Sequence, residues 1–521
     1  MKKNTIIQFI ATGMFLFGAT ACTGNFEDYN KNPHEPDQND MGVDWYLVRS
    51  LALNLQDLMM PEQENFSQYV DCLMAGAFSG YVADSNLGTG WSGRYATYNP
   101  SDDWKKIPFN DFYSKFYPDY FNLKNQSDDE LFLSLAELYR IVVMLRVTDT
   151  YGPIPYSKIN GTAYTVAYDS MEELYNQMFA DLEDGISIFK AALASGADVS
   201  TLADFDYVYG GNFTKWVKYA NTLKLRMAMR IVNVAPALSK EKAEEAVNDS
   251  YGVMAEAGDA AFSSFNDGMN PFYRAAYTWN GGEFRASANI TSYLGGYKDP
   301  RLTIYVKESE ENGYVGVRNG ISQTASSFAS YQKLSNVNVG EGDKLLVMSA
   351  AEAYFLRAEG ALRGWNMGGT AKELYETGIA VSMAEKGASV GDYLSSKAVP
   401  EAYTDPVNSK YNVVAASTIC PAYDEMADFE VNLERIMVQK WIASYPSGWE
   451  TWADIRRTGY PKLFPVGNNL SGGVVNTDRG MRRLPYPQSE YNTNLTNVNA
   501  AVGMLGGADN AGTDLWWAKK N

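Results

Sequence analysis

Two neighbouring segments decide the fold: Ser349-Ala-Ala-Glu-Ala-Tyr-Phe-Leu-Arg-Ala-Glu-Gly-Ala-Leu-Arg-Gly364 and Thr370-Ala-Lys-Glu-Leu-Tyr-Glu-Thr-Gly-Ile-Ala-Val-Ser-Met-Ala-Glu-Lys-Gly387. Each begins with a Ser or Thr followed three residues later by Glu, which is the capping box of a helix N-terminus. Each ends at a glycine, the residue that most often closes a helix. Because the connection between them is short, the sequence predicts a pair of packed antiparallel helices at 349–363 and 370–386.

The same pattern occurs earlier in the chain. Capping boxes at Ser127 and Ser170 predict a second pair of helices, about 128–149 and 170–194. Helical spacing of apolar residues predicts further helices at 212–234 and 428–446. Helix pairs with Ala, Gly and Tyr at their crossings are similar to tetratricopeptide (TPR) units, although a fixed period of roughly 34 residues is missing. We therefore predict a mainly α fold in which TPR-like helix pairs form a scaffold.

Long segments without helical periodicity separate these helices. The segments 84–104, 258–285 and 387–423 are rich in Gly, Asn, Ser, Tyr and Trp, and loops of this length are usually functional. A few short β-strands are expected within 300–335, at 302–306 and 314–317. The scaffold should therefore carry long irregular loops.

The N-terminus indicates where the protein resides. Lys2 and Lys3 precede an apolar stretch that ends in small residues directly before Cys22, as in a secretory signal. Such a cysteine resembles the acylated residue of bacterial lipoproteins, although Ala19 replaces the usual Leu. Ordinary secretion is the alternative. The lipoprotein interpretation divides the chain into a signal peptide (1–21), a lipidated tether (22–40) and a single domain (41–521).

The chain has 521 residues and a formal charge of −18, and loss of the two lysines in residues 1–21 brings the mature chain to −20. A surface this acidic repels phosphate backbones, which argues against nucleic acid as a partner. Anionic polymers are also disfavoured as ligands unless a local basic patch exists.

The few histidines and cysteines exclude several kinds of site. His34 is the only histidine and lies in the tether, so no Ser-His-Asp or Cys-His arrangement can form in the body. Cys72 and Cys420 either pair or remain free thiols, and free thiols are favoured in a chain of this size. The segment 266–270 offers oxygen atoms but lacks the spacing and the final Glu of a calcium loop, so no metal site is predicted. Carboxylate-only chemistry, as in glycosidases, stays open.

Several blocks, in this order, resemble the SusD/RagB-type outer-membrane lipoproteins that bind nutrients. These blocks are Phe26–Pro33, Arg146-Val-Thr-Asp-Thr-Tyr-Gly-Pro-Ile-Pro-Tyr156, Trp216–Arg226, Tyr297-Lys-Asp-Pro-Arg301, Ala351–Glu359, Gln439-Lys-Trp-Ile442, Glu450–Arg457, Arg483-Leu-Pro-Tyr-Pro487 with Glu490 and Asn494, and Trp516-Trp517. Together they cover almost the whole mature chain. On physical grounds most of them are structural, and the carboxylates and arginines of 450–457 are expected to form ion pairs.

The resemblance implies a function. A SusD-like protein is anchored in the outer membrane through Cys22, is exposed at the cell surface, and acts as the lid of a SusC-like TonB-dependent transporter. It captures a glycan for import, is not an enzyme and needs no cofactor. A peptide-binding member of the family is the alternative, and a carboxylate-dependent glycoside hydrolase is a further one.

Two aromatic loops are the candidate ligand sites. Sugar rings need flat aromatic side chains for stacking and Asn, Asp or Arg side chains for paired hydrogen bonds. The first loop supplies Trp91, Arg94, Tyr95, Tyr98, Asn99 and Trp104, and the second supplies Tyr273, Tyr277, Trp279 and Asn280. The alternative is that the aromatic residues attach the loops to the body. We expect at least one of Trp91 and Trp279 to stack on ligand.

Overall fold

The computed structural model describes residues 46–85, 94–197, 200–265, 269–322 and 325–519. Residues 51 onward form one compact unit, and residues 46–50 are the described part of a short N-terminal unit. The helices are α1 (Tyr46–Asp57), α2 (Glu64–Ser67), α3 (Asp102–Gln126), α4 (Glu130–Tyr151), α5 (Met171–Ser195), α6 (Phe213–Arg230), α7 (Pro236–Val247), α8 (Pro271–Tyr273), α9 (Ala288–Tyr297), α10 (Leu302–Tyr305), α11 (Ala325–Tyr331), α12 (Ala350–Leu362), α13 (Ala371–Glu385), α14 (Phe429–Ala443), α15 (Gly448–Thr458), α16 (Gln488–Thr493) and α17 (Leu495–Leu505). A π-helical segment, Gln68–Gly76, continues α2.

The helices pack as the sequence predicts. Helix α4 packs on α5, and α12 packs on α13, which confirms the two TPR-like pairs and the mainly α fold. Helix α6 packs on both α5 and α7, and α12 also contacts α6 and α14. The helix pairs therefore form one continuous scaffold.

The predicted caps are partly correct. Ser170 and Thr370 form complete capping boxes with Glu173 and Glu373. At α4 the cap is Asp129, whose side chain accepts from Phe132 N at 3.0 Å, and the box predicted at Ser127 is wrong. At α12, Ser349 caps the helix, but Glu352 does not complete a box because its carboxylate binds Arg226.

Within the described residues, the strands form three separate two-stranded antiparallel ladders. They pair β1 (Val82–Asp84) with β3 (Phe284–Ala286), β2 (Ala261–Ser263) with β6 (Leu345–Met348), and β4 (Val306–Lys307) with β5 (Asn336–Val337). The strand predicted at 302–306 is wrong over 302–305, where the chain forms α10. Buried Arg301 fixes the start of this turn, and its carbonyl accepts from Ile304 N and Tyr305 N.

Three further observations bear on the sequence predictions. Cys72 is a buried free thiol and Cys420 a partly buried one, so the disulfide alternative is wrong. The carboxylates of α15 form buried ion pairs: Glu450 and Asp454 both accept from Lys440, at 2.8 and 2.5 Å. Among the described helices, none combines the length and apolar character that crossing a membrane requires.

The pair of Glu359 with Arg457 is buried, with oxygen–nitrogen distances of 2.6 and 2.8 Å. Burial opposes ionisation of Glu359, but Arg457 and Arg363 outweigh this effect and lower its pKa to about 2. The carboxylate therefore binds fewer protons when the chain is folded. Its contribution to stability is complete above its ordinary pKa of 4.5 and is lost as the pH falls toward about 2.

We expect Glu359→Gln to lower the free energy of unfolding at pH 7 by about 3 kcal/mol, because it leaves a buried guanidinium without its main partner. Urea unfolding should show this cost shrink as the pH falls below about 4.5. Glu311→Gln is the matched control: its pair with Lys333 is largely exposed and should contribute less than about 1 kcal/mol. Equal effects of the two substitutions at pH 7 would contradict the assignment.

Candidate functional site

A short ladder brings the two candidate loops together. Strand β1 directly precedes the first loop, and β3 directly follows the second. The strands are antiparallel with Ala83 opposite Arg285, and Ser85 N donates to Glu283 O at 3.0 Å beyond the ladder. The start of the first loop, at Ser85, is therefore fixed beside the end of the second loop, at Glu283. We call the surface formed by Trp104 and residues 273–282 the junction site.

The first loop is held from beneath by buried side chains. Arg94 is buried and forms an ion pair with buried Asp84, and its guanidinium lies 6.0 Å from the Trp104 ring centroid. Tyr95 is also buried, and its hydroxyl donates to Trp104 O at 2.7 Å. These contacts give Arg94 and Tyr95 a supporting position, and ligand contact by either residue stays a prediction.

Trp104 presents part of its ring to solvent. Its ring lies 5.4 Å from that of Tyr95 and 5.2 Å from that of Tyr69, which it meets edge to face. Tyr69 is partly exposed and belongs to the π-helical segment. Burial and the nearby Glu283 raise the pKa of the Tyr69 hydroxyl. Tyr69 and Glu283 therefore join the junction site.

The sequence contains no signal for Tyr69 or Glu283. An aromatic residue in a helical segment usually belongs to the core. Only the packing of the π-helical segment against the β1–β3 ladder brings these two side chains next to Trp104.

Tyr98 and Asn99 end the turn that precedes α3. Tyr98 has a positive φ of 62° and lines a groove outside the junction site. Asn99 is partly exposed, and its Oδ1 accepts from the Thr97 hydroxyl at 2.6 Å. The structure therefore separates the Tyr98 side chain from the other predicted site residues.

The second loop presents a compact set of aromatic side chains. The rings of Tyr273 and Tyr277 lie 5.0 Å apart, and the Tyr277 hydroxyl donates to Val337 O. Trp279 is partly exposed. Asn280 is exposed, and its Nδ2 donates to Glu283 Oε1 at 2.6 Å. All four predicted residues of this loop thus lie at the junction site with at least part of their surface accessible.

The backbone of this loop is tightly constrained. Gly282 has a φ of +101°, and a Cβ atom there would lie 2.5 Å from Ala276 O, so only glycine fits. Arg285 Nε donates to Gln332 O at 3.0 Å, and burial lowers the Arg285 pKa to about 10. The loop thus presents its side chains from a fixed backbone, which reduces the entropy lost on binding.

The prediction for Trp91 lies outside the described residues, as do those for Cys22 and the tether. Residues 266–268 also lie outside them. Within the described ranges, no group of three or more His, Cys, Asp or Glu side chains is arranged to hold a metal ion. The arrangement offers partly exposed aromatic rings and the exposed amide of Asn280, which can stack on and hydrogen-bond a polar ring compound.

A family model described as "SusD-like: Susd and RagB outer membrane lipoprotein" matches residues 28–518. The chain belongs to the SusD/RagB family. Its helix pairs and the block order in its sequence are those of a SusD-like protein, which confirms the resemblance seen in the sequence. No curated protein matches the chain.

Solved structures of SusD homologues are similar to this SusD-like chain throughout. One from Bacteroides ovatus is 53% identical with a TM-score of 0.86, covering 92% of this chain and 100% of that one. A chitin-binding homologue from Flavobacterium johnsoniae is 38% identical with a TM-score of 0.87, covering 91% and 99%. One from Bacteroides uniformis is 40% identical with a TM-score of 0.85, covering 91% and 100%.

The supporting position of Tyr95 in this SusD-like protein can be tested by Tyr95→Phe. The substitution removes only the hydrogen bond to Trp104 O, so we expect the free energy of unfolding to fall by about 1 kcal/mol. Affinity for a bound glycan should change less than about twofold. Chemical denaturation and calorimetric titration measure the two quantities. Weaker binding at unchanged stability would instead place the hydroxyl in contact with ligand.

Proposed function

We propose that this protein captures oligosaccharides at the cell surface and delivers them to a partner transporter. The observation that carries the proposal is the junction site, where the β1–β3 ladder holds two aromatic loops side by side. Trp104, Trp279 and the Tyr273–Tyr277 pair offer partly exposed rings, and Asn280 offers an exposed amide that buried Glu283 holds by a hydrogen bond. This combination suits sugar rings, which have an apolar face and a rim of hydroxyl groups.

The chitin-binding homologue supports a glycan as the ligand class. At 38% identity over 91% of the chain, it has the same fold. The favoured ligand here is a glycan, while the sugar itself is left to experiment. Residues 35–521 contain no histidine, the most common general base in enzymes. This composition agrees with a binding function rather than a catalytic one.

Family membership also supports an outer-membrane location and a transport partner. We propose that Cys22 carries the lipid anchor and that a SusC-like TonB-dependent channel is the partner. In this arrangement the domain is the lid of the channel, held beside it by the tether. No cofactor is required for capture or delivery.

Trp279→Ala should weaken binding of the best glycan in a panel at least about tenfold, because a stacking face is lost. Trp91→Ala should act in the same direction. Neither substitution should change the melting temperature. Tyr164→Ala, at an exposed tyrosine in the loop between α4 and α5, is the matched control and should leave the affinity unchanged.

Intact affinity in both tryptophan variants would refute the site assignment. A panel of peptides should be titrated beside the glycans, and preferential peptide binding would favour the peptide-binding alternative. Sustained cleavage of any glycan during these titrations would favour a hydrolase.

The anchor has its own test. Cys22→Ser should leave glycan affinity in solution unchanged but abolish glycan uptake by cells that produce the protein, because the lid is no longer held at the membrane. Membrane fractionation and uptake of a labelled glycan measure these outcomes. Ser50→Ala, within α1, serves as the control and should retain uptake. Uptake by Cys22→Ser cells at the original rate would contradict the role of the anchor.

A further inference from the structure

A groove of about 830 Å³ opens beside the first loop, outside the junction site. Tyr98 forms part of its wall, and the segments 413–416, 461–466 and 477–482 form most of the remainder. A groove of this size falls in the usual range for small-ligand sites. Neither the predicted site residues of the second loop nor Trp104 line it.

One part of the groove is apolar and aromatic. The rings of Phe78 and Trp452 lie 4.8 Å apart beneath it, and Phe464 contributes a further buried ring. Val414 at its rim is 79% exposed.

The other part is cationic, in a chain whose formal charge is −18. Arg456, Lys462, Arg479 and Arg482 line the groove together with the carboxylates of Asp478 and Asp514, and Lys462 also pairs with Glu434 at 2.8 Å. Arg479 and Arg482 share Asp514, at 2.7 and 2.5 Å. Two guanidinium groups thus share one carboxylate, and the Arg479 side chain is 52% exposed.

Arg456 adds a buried positive charge. It is 3% exposed, and its hydrogen bonds go only to the carbonyl oxygens of Trp452, Asp149 and Arg482. Its Nη2 has no hydrogen-bond partner among the described residues. The neighbouring Arg457, by contrast, donates from both Nη atoms to the Glu359 carboxylate. Burial lowers the pKa of Arg456, the nearby Arg482 acts in the same direction, and the Asp149 carboxylate opposes them.

We propose that this groove binds the negatively charged group of an acidic sugar, with Arg479 as the contacting cation and the sugar ring beside Tyr98. A carboxylate of a uronic acid and a sulfate ester share this chemistry, because both present oxygens that match the fork of a guanidinium. The overall acidity of the chain disfavours anionic ligands, and the groove is the local basic patch that permits them. The inference rests on the proposed function, since it names the class of glycan captured.

Calorimetric titration of the mature chain with three probes tests the proposal: a galacturonic acid trimer, a chondroitin sulfate tetrasaccharide and neutral chitotriose. We expect at least one acidic probe to bind, with an affinity that falls between about 50 mM and about 500 mM salt. Arg479→Gln should weaken that binding about tenfold and Arg479→Glu more strongly, because a charge-assisted hydrogen bond is lost. Arg479→Lys should retain the salt dependence and part of the affinity.

Lys333→Gln is the matched control, since it removes one positive charge from an exposed pair elsewhere on the surface. Binding of either acidic probe alone identifies the anion as carboxylate or sulfate. The proposal is overturned if neither acidic probe binds, or if Arg479→Gln and Lys333→Gln have equal effects. Its failure is distinguishable from failure of the proposed function: neutral glycans would then still bind, and Trp279→Ala would still weaken that binding.

Discussion

Lys440 lies at the centre of a buried ion network that joins four helices. From α14 its ammonium contacts Glu450 and Asp454 of α15, at 2.8 and 2.5 Å, and Glu352 of α12 at 3.5 Å. Arg226 of α6 binds Glu352 through two hydrogen bonds of 2.7 Å. Burying so many charges is favourable only when every one of them keeps its partners. The network therefore fixes the relative positions of the helix pairs.

The same helices position the junction site. The Tyr81 hydroxyl donates to Trp441 O of α14 at 2.5 Å and bonds Thr451 of α15 at 2.8 Å, while Trp441 Nε1 donates to Ser79 O. Tyr81 directly precedes β1, the strand that pairs with β3 and brings the two loops together. The segments that flank the two loops are thereby tied by hydrogen bonds to α14 and α15. This continuity explains how a helical scaffold can present a defined binding surface through irregular segments.

Local signals predicted local structure correctly. The capping boxes at Ser170 and Thr370 need only residues of the same turn, and both form. The box at Ser349 fails because Glu352 is drawn into the ion network by Arg226, a partner 126 residues away. A pattern within one turn contains no trace of such a partner.

The candidate site shows the same limit. Composition identified both aromatic loops, and the β1–β3 ladder pairs the residues at the start of the first loop with those at the end of the second. Composition alone could not distinguish Trp104, which is partly exposed, from Arg94 and Tyr95, which are buried. Tyr69 was missed because it lies in a helical segment, and the cationic groove was missed because its arginines are dispersed between 456 and 482.

A crystal structure of the mature chain with the tightest-binding neutral glycan of the panel would locate the ligand. We expect electron density for sugar rings at the junction site, in contact with Trp279 and within reach of Asn280. Density for the glycan on the helix pairs, with the junction site unchanged from the free protein, would contradict this expectation.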